Sequence, residues 1–253
     1  MKITILGSGT CVPSLERGTC SALVRAGDSQ MLFDSGAGVM RRLLEAGAGI
    51  GDVTHIFYSH LHPDHTGEFA SFLFSTKYPR DFARRTPFVV IAGRGFEKFY
   101  RNLQTAFGDW IVLDPGIMEI VEMDTTGPDM RNFADFTLET RPMDHTDQSV
   151  GFRINAGGKS FVYSGDTDYC QDLVDLSMNA DLLLCECAMP DALKVPGHLT
   201  PSRAGDIAAR AGVKRLVLTH FYPECDKTDV AAQCRTTWDG PLDLAQDLME
   251  III

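Results

Sequence analysis

Along this chain, apolar positions repeat with a period of two in some segments and at helical spacing in others, and the two kinds of segment alternate. Positions 2–6 (Lys-Ile-Thr-Ile-Leu) predict an opening strand stopped by Gly7-Ser8-Gly9-Thr10, and 21–26 with 30–34 predict a hairpin around Gly27-Asp28. A helix is expected over 39–46, a strand over 55–59, and a second helix over 66–78, where Phe69, Phe72, Leu73 and Phe74 form an apolar patch. A short buried strand follows at 88–92, then a helix over 95–107 spaced by Phe96, Phe99, Tyr100 and Leu103. Strands are expected at 118–123, 136–141, 159–163 and 215–218. Thr200-Pro201-Ser202 reads as an N-cap followed by proline at the first helical position, opening a helix to Ala211 that Gly212 stops. The closing run 248–253 is apolar and one strand long. Strands interleaved with helices predict an α/β scaffold. The glycines after the first strand are followed by Cys11-Val12-Pro13 and not by a helix, which excludes a dinucleotide-binding loop.

Composition narrows the class. With 253 residues and 44% hydrophobic content, positions 1–253 suffice for one sizeable core, and we expect a single domain. The formal net charge of -11 and a pI near 5.0 repel polyanions unless local cations reverse the field, which disfavours a general nucleic-acid binder. No apolar run approaches membrane-spanning length and the opening strand is too short for a signal sequence, so the chain reads as soluble and unexported. Seven scattered cysteines fit free thiols in a reducing cytoplasm, and Cys185 and Cys187 fit buried small hydrophobes on an apolar strand.

The chemistry concentrates at positions 59–65, Ser-His-Leu-His-Pro-Asp-His. Imidazole nitrogens and carboxylate oxygens are the donors that zinc and its borderline neighbours accept. His60 and His62 lie two apart, so on an extended segment both side chains leave the same side, and Pro63 then breaks the strand. Asp64 and His65 are free to face a second ion. Later strands end in similar residues: 136–141 near Met143-Asp144-His145, 159–163 in Ser164-Gly165-Asp166-Thr167, and 215–218 in Thr219-His220. His198 precedes the helix that begins at Pro201. His55 lies inside a strand, too far back to join the others, and reads as structural. Asp34 fits a helix start, a turn, or a carboxylate that orients a ligand histidine.

With these residues in view, the sequence resembles the metallo-β-lactamase superfamily, whose His-x-His-x-Asp-His signature stands here as His60, His62, Asp64 and His65. The resemblance runs from the first strand to Thr219-His220 and implies a four-layer αββα sandwich with the site along one edge. It implies one metal held by His60, His62, His145 and Asp166, a second held by Asp64, His65, His220 and the shared Asp166, and a metal-bound hydroxide as nucleophile. Two divalent ions are therefore the expected cofactors, with zinc first and manganese or iron compatible.

The opening Gly7-Ser8-Gly9-Thr10-Cys11-Val12-Pro13 with Arg17, and His198-Leu199-Thr200, resemble the ribonuclease Z-like branch and its phosphodiesterase relatives. In that branch a histidine contacts the scissile phosphate and protonates the leaving oxygen, the role the resemblance implies for His198; Asp64 of the signature is the other expected catalytic residue. The segment 88–113 has no room for a transfer-RNA-gripping arm, Ala37 stands where the branch commonly has an acidic residue, and Leu199 interrupts the usual His-Ser-Thr. These departures and the acidic balance predict a phosphodiesterase for a small or cyclic phosphodiester, with no extended nucleic-acid surface and no membrane contact. The resemblance admits a homodimer. The alternatives are a ribonuclease Z-type RNA 3′-processing endonuclease, a lactone, thioester or sulfate-ester hydrolase on the same metal core, and a non-catalytic metal-binding relative.

Overall fold

Parallel strands need a crossover segment between them and antiparallel strands do not, and this chain uses the difference twice. The computed structural model describes residues 1–253, with side chains for all but Phe82. Strands β1 (Lys2–Gly7), β2 (Ser21–Ala26) and β3 (Ser29–Phe33) run antiparallel. β4 (His55–Tyr58), β5 (Phe88–Gly93) and β6 (Met118–Met123) then extend the sheet in parallel. Their crossovers carry α1 (Val39–Glu45) before β4, α2 (Pro63–Thr66) and α3 (Phe69–Lys77) before β5, and α4 (Phe96–Phe107) before β6.

The second sheet repeats the plan. β7 (Asp129–Asn132), β8 (Thr137–Pro142), β9 (Val150–Ala156) and β10 (Lys159–Tyr163) are antiparallel. β11 (Leu182–Glu186), β12 (Leu216–Thr219) and β13 (Leu242–Leu244) are parallel, joined through α5 (Gln171–Leu176), α6 (Pro201–Ala211) and α7 (Val230–Cys234). The last strand, β14 (Glu250–Ile252), returns to pair antiparallel with β1. Each sheet has seven strands, in the orders β14-β1-β2-β3-β4-β5-β6 and β13-β12-β11-β10-β9-β8-β7.

Side-chain alternation assigns the faces. Ala22, Val24, Met31, Phe33 and Phe57 pack in one core with Phe152, Phe161 and Tyr163 of the second sheet, whereas Leu23, Leu32, Ile56 and Tyr58 pack in another with Val39, Leu43, Phe69 and Phe72. Phe33 stacks on Phe57 at 4.5 Å and meets Phe161 edge-on at 5.5 Å, which joins the two sheets. Both faces of the central strands are covered, and the result is the αββα sandwich expected. Cys185 and Cys187 are buried, and among the described residues no helix is long and apolar enough to cross a membrane.

Two features differ from the sequence pattern. The helix expected over 66–78 is divided, because the Glu68 N–H donates to Ser35 O at 2.8 Å and not to the Asp64 carbonyl that helical continuation requires. The pattern also missed α5, α7 and β13, as well as β7, whose Asp-Met-Arg-Asn is largely exposed and held by pairing with β8, and β9, whose Val150, Phe152 and Ile154 do alternate.

His55, at the start of β4, lies edge-on to Phe133 at 5.1 Å and Phe136 at 5.0 Å, with Nδ1 2.8 Å from the Thr54 hydroxyl. Burial holds its pKa down to about 4 although Asp135 works in the opposite sense. Between pH 4 and the ordinary histidine value near 6.5, the unfolded chain therefore binds more protons at this position than the folded one, and stability rises with pH across that window. Wild type should lose roughly 3 kcal/mol more than His55→Phe as pH falls from 7 to 4, read from urea unfolding. Parallel pH profiles for the two proteins would contradict this.

Candidate functional site

The titratable cluster forms where strands of both sheets end. β4 runs into Ser59 and His60, the chain stays extended through His62, and Pro63 opens α2, which carries Asp64 and His65. β8 leads to His145, β10 to Asp166 and β12 to His220. His220 adopts φ 61° and Asp34 φ 56°, a left-handed conformation that is rare for residues with a side chain and that collects at functional sites. The positions drawn together from the sequence thus meet in one place, and His55 stays away from them.

Asp166 is at the centre. Its Oδ2 lies 3.4 Å from His65 Nε2, 3.7 Å from His60 Nε2 and 4.0 Å from His145 Nε2, while Oδ1 lies 3.3 Å from His220 Nε2. Asp64 Oδ2 stands 3.8 Å from His65 Nε2 and 3.9 Å from His220 Nε2. Donor atoms of His60, His62, His145 and Asp166 are close enough to share one cation, and so are those of Asp64, His65 and His220. His60 Nε2, His65 Nε2, His220 Nε2 and Asp166 Oδ1 are all buried without a hydrogen-bond partner. Each such atom costs about 1–3 kcal/mol if left unsatisfied. Four orphaned nitrogen and oxygen donors converging on one point fit divalent metal ions.

The protonation pattern shows how charge is balanced within the cluster. Burial opposes charge on His65, but Asp166 and Asp34 outweigh it and hold its pKa well above the usual value. Burial and the neighbouring His65 push His60 well below its usual value. Burial works against an ionised Asp166, yet His220 and His65 keep its pKa well below the carboxylate range. Protonated His65 thus supplies positive charge beside Asp166, a place that a bound cation would take over.

The Nδ1 atoms of His60, His65 and His145 are engaged by the surroundings, whereas His220 Nδ1 is buried without a partner. Asp34, fully buried, accepts from His65 Nδ1 at 2.8 Å, from the Ser59 N–H and hydroxyl at 2.8 Å each, and from the Tyr163 hydroxyl at 2.7 Å. Since Ser59 gives its proton to Asp34, its oxygen is left to accept from His60 Nδ1 at 3.1 Å. His145 Nδ1 donates to Gly197 O at 2.9 Å. Of the roles open to Asp34 in the sequence, the hydrogen bonds match orientation of a histidine. Gly36 completes the support: a Cβ there would stand 1.8 Å from the Asp64 carbonyl oxygen, so the 34–38 turn is pressed directly against α2.

His198 is part-buried beside the cluster, its Nδ1 donating to Glu186 Oε1 at 3.0 Å and lying 3.9 Å from Asp166 Oδ2. Burial works against its charged form, but the hydrogen bond and charge of Glu186 outweigh it and raise its pKa. Glu186 also accepts from the Thr167 and Ala188 N–H groups at 2.8 and 3.2 Å. Sequence reasoning missed Glu186. The available signal was a carboxylate ending an otherwise apolar strand, Leu-Leu-Leu-Cys-Glu.

A family model described as the beta-lactamase superfamily domain matches residues 30–221. Ribonuclease Z of Mycobacterium bovis (strain BCG / Pasteur 1173P2) is 30% identical over 275 aligned positions, covering 99% of this chain and 98% of that protein. The crystal structure of human tRNase Z, short form, superposes with a TM-score of 0.80 at 26% identity over 100% of this chain and 99% of that one. The metallo-beta-lactamase fold protein YhfI from Bacillus subtilis superposes with a TM-score of 0.84 at 22% identity over 99% of both chains, which shows the fold alone. These relatives correct one expectation. A small-molecule substrate with no extended nucleic-acid surface was predicted from the acidic balance and the missing arm, but the relative matching end to end is a ribonuclease. Net charge sums the whole surface and does not report the field along one path across it. With the signature in place, the donors gathered and the family matched over most of its length, the chain belongs to the metallo-β-lactamase superfamily of metal-dependent hydrolases, in its ribonuclease Z-like branch.

Proposed function

We propose that this chain is a ribonuclease Z-type endonuclease that hydrolyses a phosphodiester bond of an RNA precursor on its 3′ side. The observation that carries this reading is the 30% identity with a ribonuclease Z across 99% of this chain and 98% of the relative, which leaves no part of the site outside the match. In this reading His60, His62, His145 and Asp166 would hold one divalent ion and Asp64, His65 and His220 a second, with Asp166, 3.4 Å from His65 and 3.3 Å from His220, shared between them, zinc being the ion best suited to that nitrogen-rich set. Ions held there supply Lewis acidity toward phosphoryl oxygens and activate water.

The chain's own residues supply the rest. Asp64, at the start of α2, faces His65 and His220 from one side of the cluster and binds and orients at the reacting centre. His198 is the proton donor to the departing ribose oxygen: Glu186 engages Nδ1 and so leaves Nε2 for the substrate. Three protein donors on the Glu186 carboxylate hold it in place, and Glu186 in turn holds the His198 ring and its proton. Leu199, completely buried, anchors the segment that presents His198.

Asp166→Ala should abolish 3′ cleavage of a precursor transfer RNA while leaving a folded protein by circular dichroism, and full retention of activity would overturn the two-ion assignment. His198→Ala should slow RNA cleavage by about 10²–10⁴-fold but affect a nitrophenyl phosphodiester far less, because that leaving group needs no proton. Equal losses on both substrates would refute the general-acid role. Asp34→Asn should weaken metal affinity about 10–100-fold, measured against a chromophoric chelator; unchanged affinity would remove Asp34 from the metal support.

A further inference from the structure

A ribonuclease with net charge -11 must hold a polyanion beyond the phosphate that reacts, and the cations of this chain are not evenly spread. Lys77, Arg80, Arg84 and Arg85 fall within nine positions with Asp81 the only acid among them. All four line one concavity of about 320 Å³ at the end of α3. Arg84 serves the fold: its guanidinium donates to the Ile50, Val53 and Pro87 carbonyls and lies 4.7 Å from the Phe88 ring centre, fastening the segment to the body. Arg80 and Arg85 are exposed, and Lys77 is half-buried, 5.6 Å above the Tyr78 ring.

Next to these cations is an aromatic surface. Phe74, Phe107 and Trp110 are 44%, 49% and 61% exposed and line an apolar groove of about 700 Å³. Trp110 lies 6.1 Å from Phe74 and 5.8 Å from Tyr78, ring centre to ring centre. The groove is also lined by Gly67, which follows directly on the helix bearing Asp64 and His65. From there α3 runs to Lys77, a rise of about 12 Å. That is roughly three to four steps of a nucleic-acid strand at ~3.4 Å each.

We infer that the α3 face is an RNA-docking surface, on which bases stack against Phe74 and Trp110 while Lys77, Arg80 and Arg85 take the phosphates that follow. The inference rests on the ribonuclease reading above. Exposed aromatic rings beside a row of cations are what single-stranded RNA recognition uses, since every base has a face to stack and every step carries a charge. An apolar protein partner would fill the groove and leave the cations unanswered; the charge selects a polyanion. Gly67, which lines the groove, stands two residues from His65 of the candidate metal cluster.

The test uses the full-length, metal-loaded protein with two substrates and one binding probe. Arg80→Glu/Arg85→Glu should raise KM for precursor transfer RNA at least tenfold and lower the salt slope of log KM by about 1.4, from ~0.7 per phosphate lost, with turnover of a bis-aryl phosphodiester unchanged. Trp110→Ala should raise the RNA KM several-fold with the same small-substrate control. Direct binding is read separately: Trp238 is 93% hidden, so quenching of tryptophan fluorescence by a single-stranded RNA oligonucleotide reports on Trp110. Quenching that is lost in Arg80→Glu/Arg85→Glu supports the surface even if the protein cleaves no RNA, in which case the ribonuclease reading alone fails. Unaltered KM in both variants together with unaltered quenching in Arg80→Glu/Arg85→Glu would overturn the inference. So would a concentration-dependent dimer that Trp110→Ala dissociates while RNA affinity stays the same, since the groove would then be covered by a second copy.

Discussion

The arrangement depends on one buried carboxylate. Asp34 has no solvent exposure and accepts four hydrogen bonds, two from Ser59, one from His65 and one from Tyr163. A charge in that position is tolerable only while its partners remain, and removing a partner from a buried pair costs on the order of 3–5 kcal/mol. The partners come from both sheets: Ser59 follows β4 of the first and Tyr163 ends β10 of the second. The same carboxylate therefore fastens the two sheet edges together, turns His65 and, through the Ser59 hydroxyl, turns His60. Its neighbours continue the work, with Ser35 N–H on His65 O at 2.7 Å and the Glu68 carboxylate accepting from the Gly38 and Met40 N–H groups. The histidine motif is held in shape by a turn some thirty residues earlier in the chain.

The repeated sheet plan explains why so many ligand-capable residues converge. In each sheet the parallel half sends its strand ends to one edge, and α/β proteins place functional groups beyond those ends. β10, β11 and β12 are adjacent and parallel, so Asp166, Glu186 and His220 emerge side by side. Glu186 stands between two members of the cluster without belonging to any of its three ligand-capable groups, one of which is Asp166, His198 and His220, and it binds His198. Gly165, at φ 58°, has only 2.5 Å between a notional Cβ and Ser59 Cβ, and Val150 N–H donates to Ser59 O at 2.9 Å. The two sheet edges thus meet in direct backbone contact, close enough for side chains of both to share an ion.

Much of this was legible before any coordinates. His60, His62, Asp64 and His65 announce themselves by density, and His145, Asp166 and His220 by their place after apolar strands. Local pattern carries such information because strand ends and turn residues are local. Glu186 was not legible, since its role comes from a hydrogen bond to His198 twelve positions away, and a single carboxylate at a strand end has many uses. Asp34 was legible only as a set of alternatives, because choosing among them needs the Tyr163 hydroxyl 129 positions on. The division between α2 and α3 was hidden for the same reason: helical spacing continues through Gly67 and Glu68, and only the contact with Ser35 breaks the ladder.

Charge misled where it was summed. Pairs at short range, such as Asp181 with Lys214 at 2.8 Å, Asp168 with Lys194 at 2.6 Å and Asp243 with Arg215 at 2.7 Å, cancel within the total, so -11 is the excess of 34 acids over 23 cations and carries no information on where either sign lies. All three pairs belong to the second-sheet half of the chain, and salt screens exposed charges beyond about 8–10 Å. A strand lying along α3 would meet Lys77, Arg80 and Arg85 within that range. The acids nearest the reacting centre, Asp64 and Asp166, are those whose donor atoms converge with histidines where a cation fits. An acidic protein can hold a polyanion where cations cluster on one face and the acids nearest the reacting centre converge with donors that fit a cation.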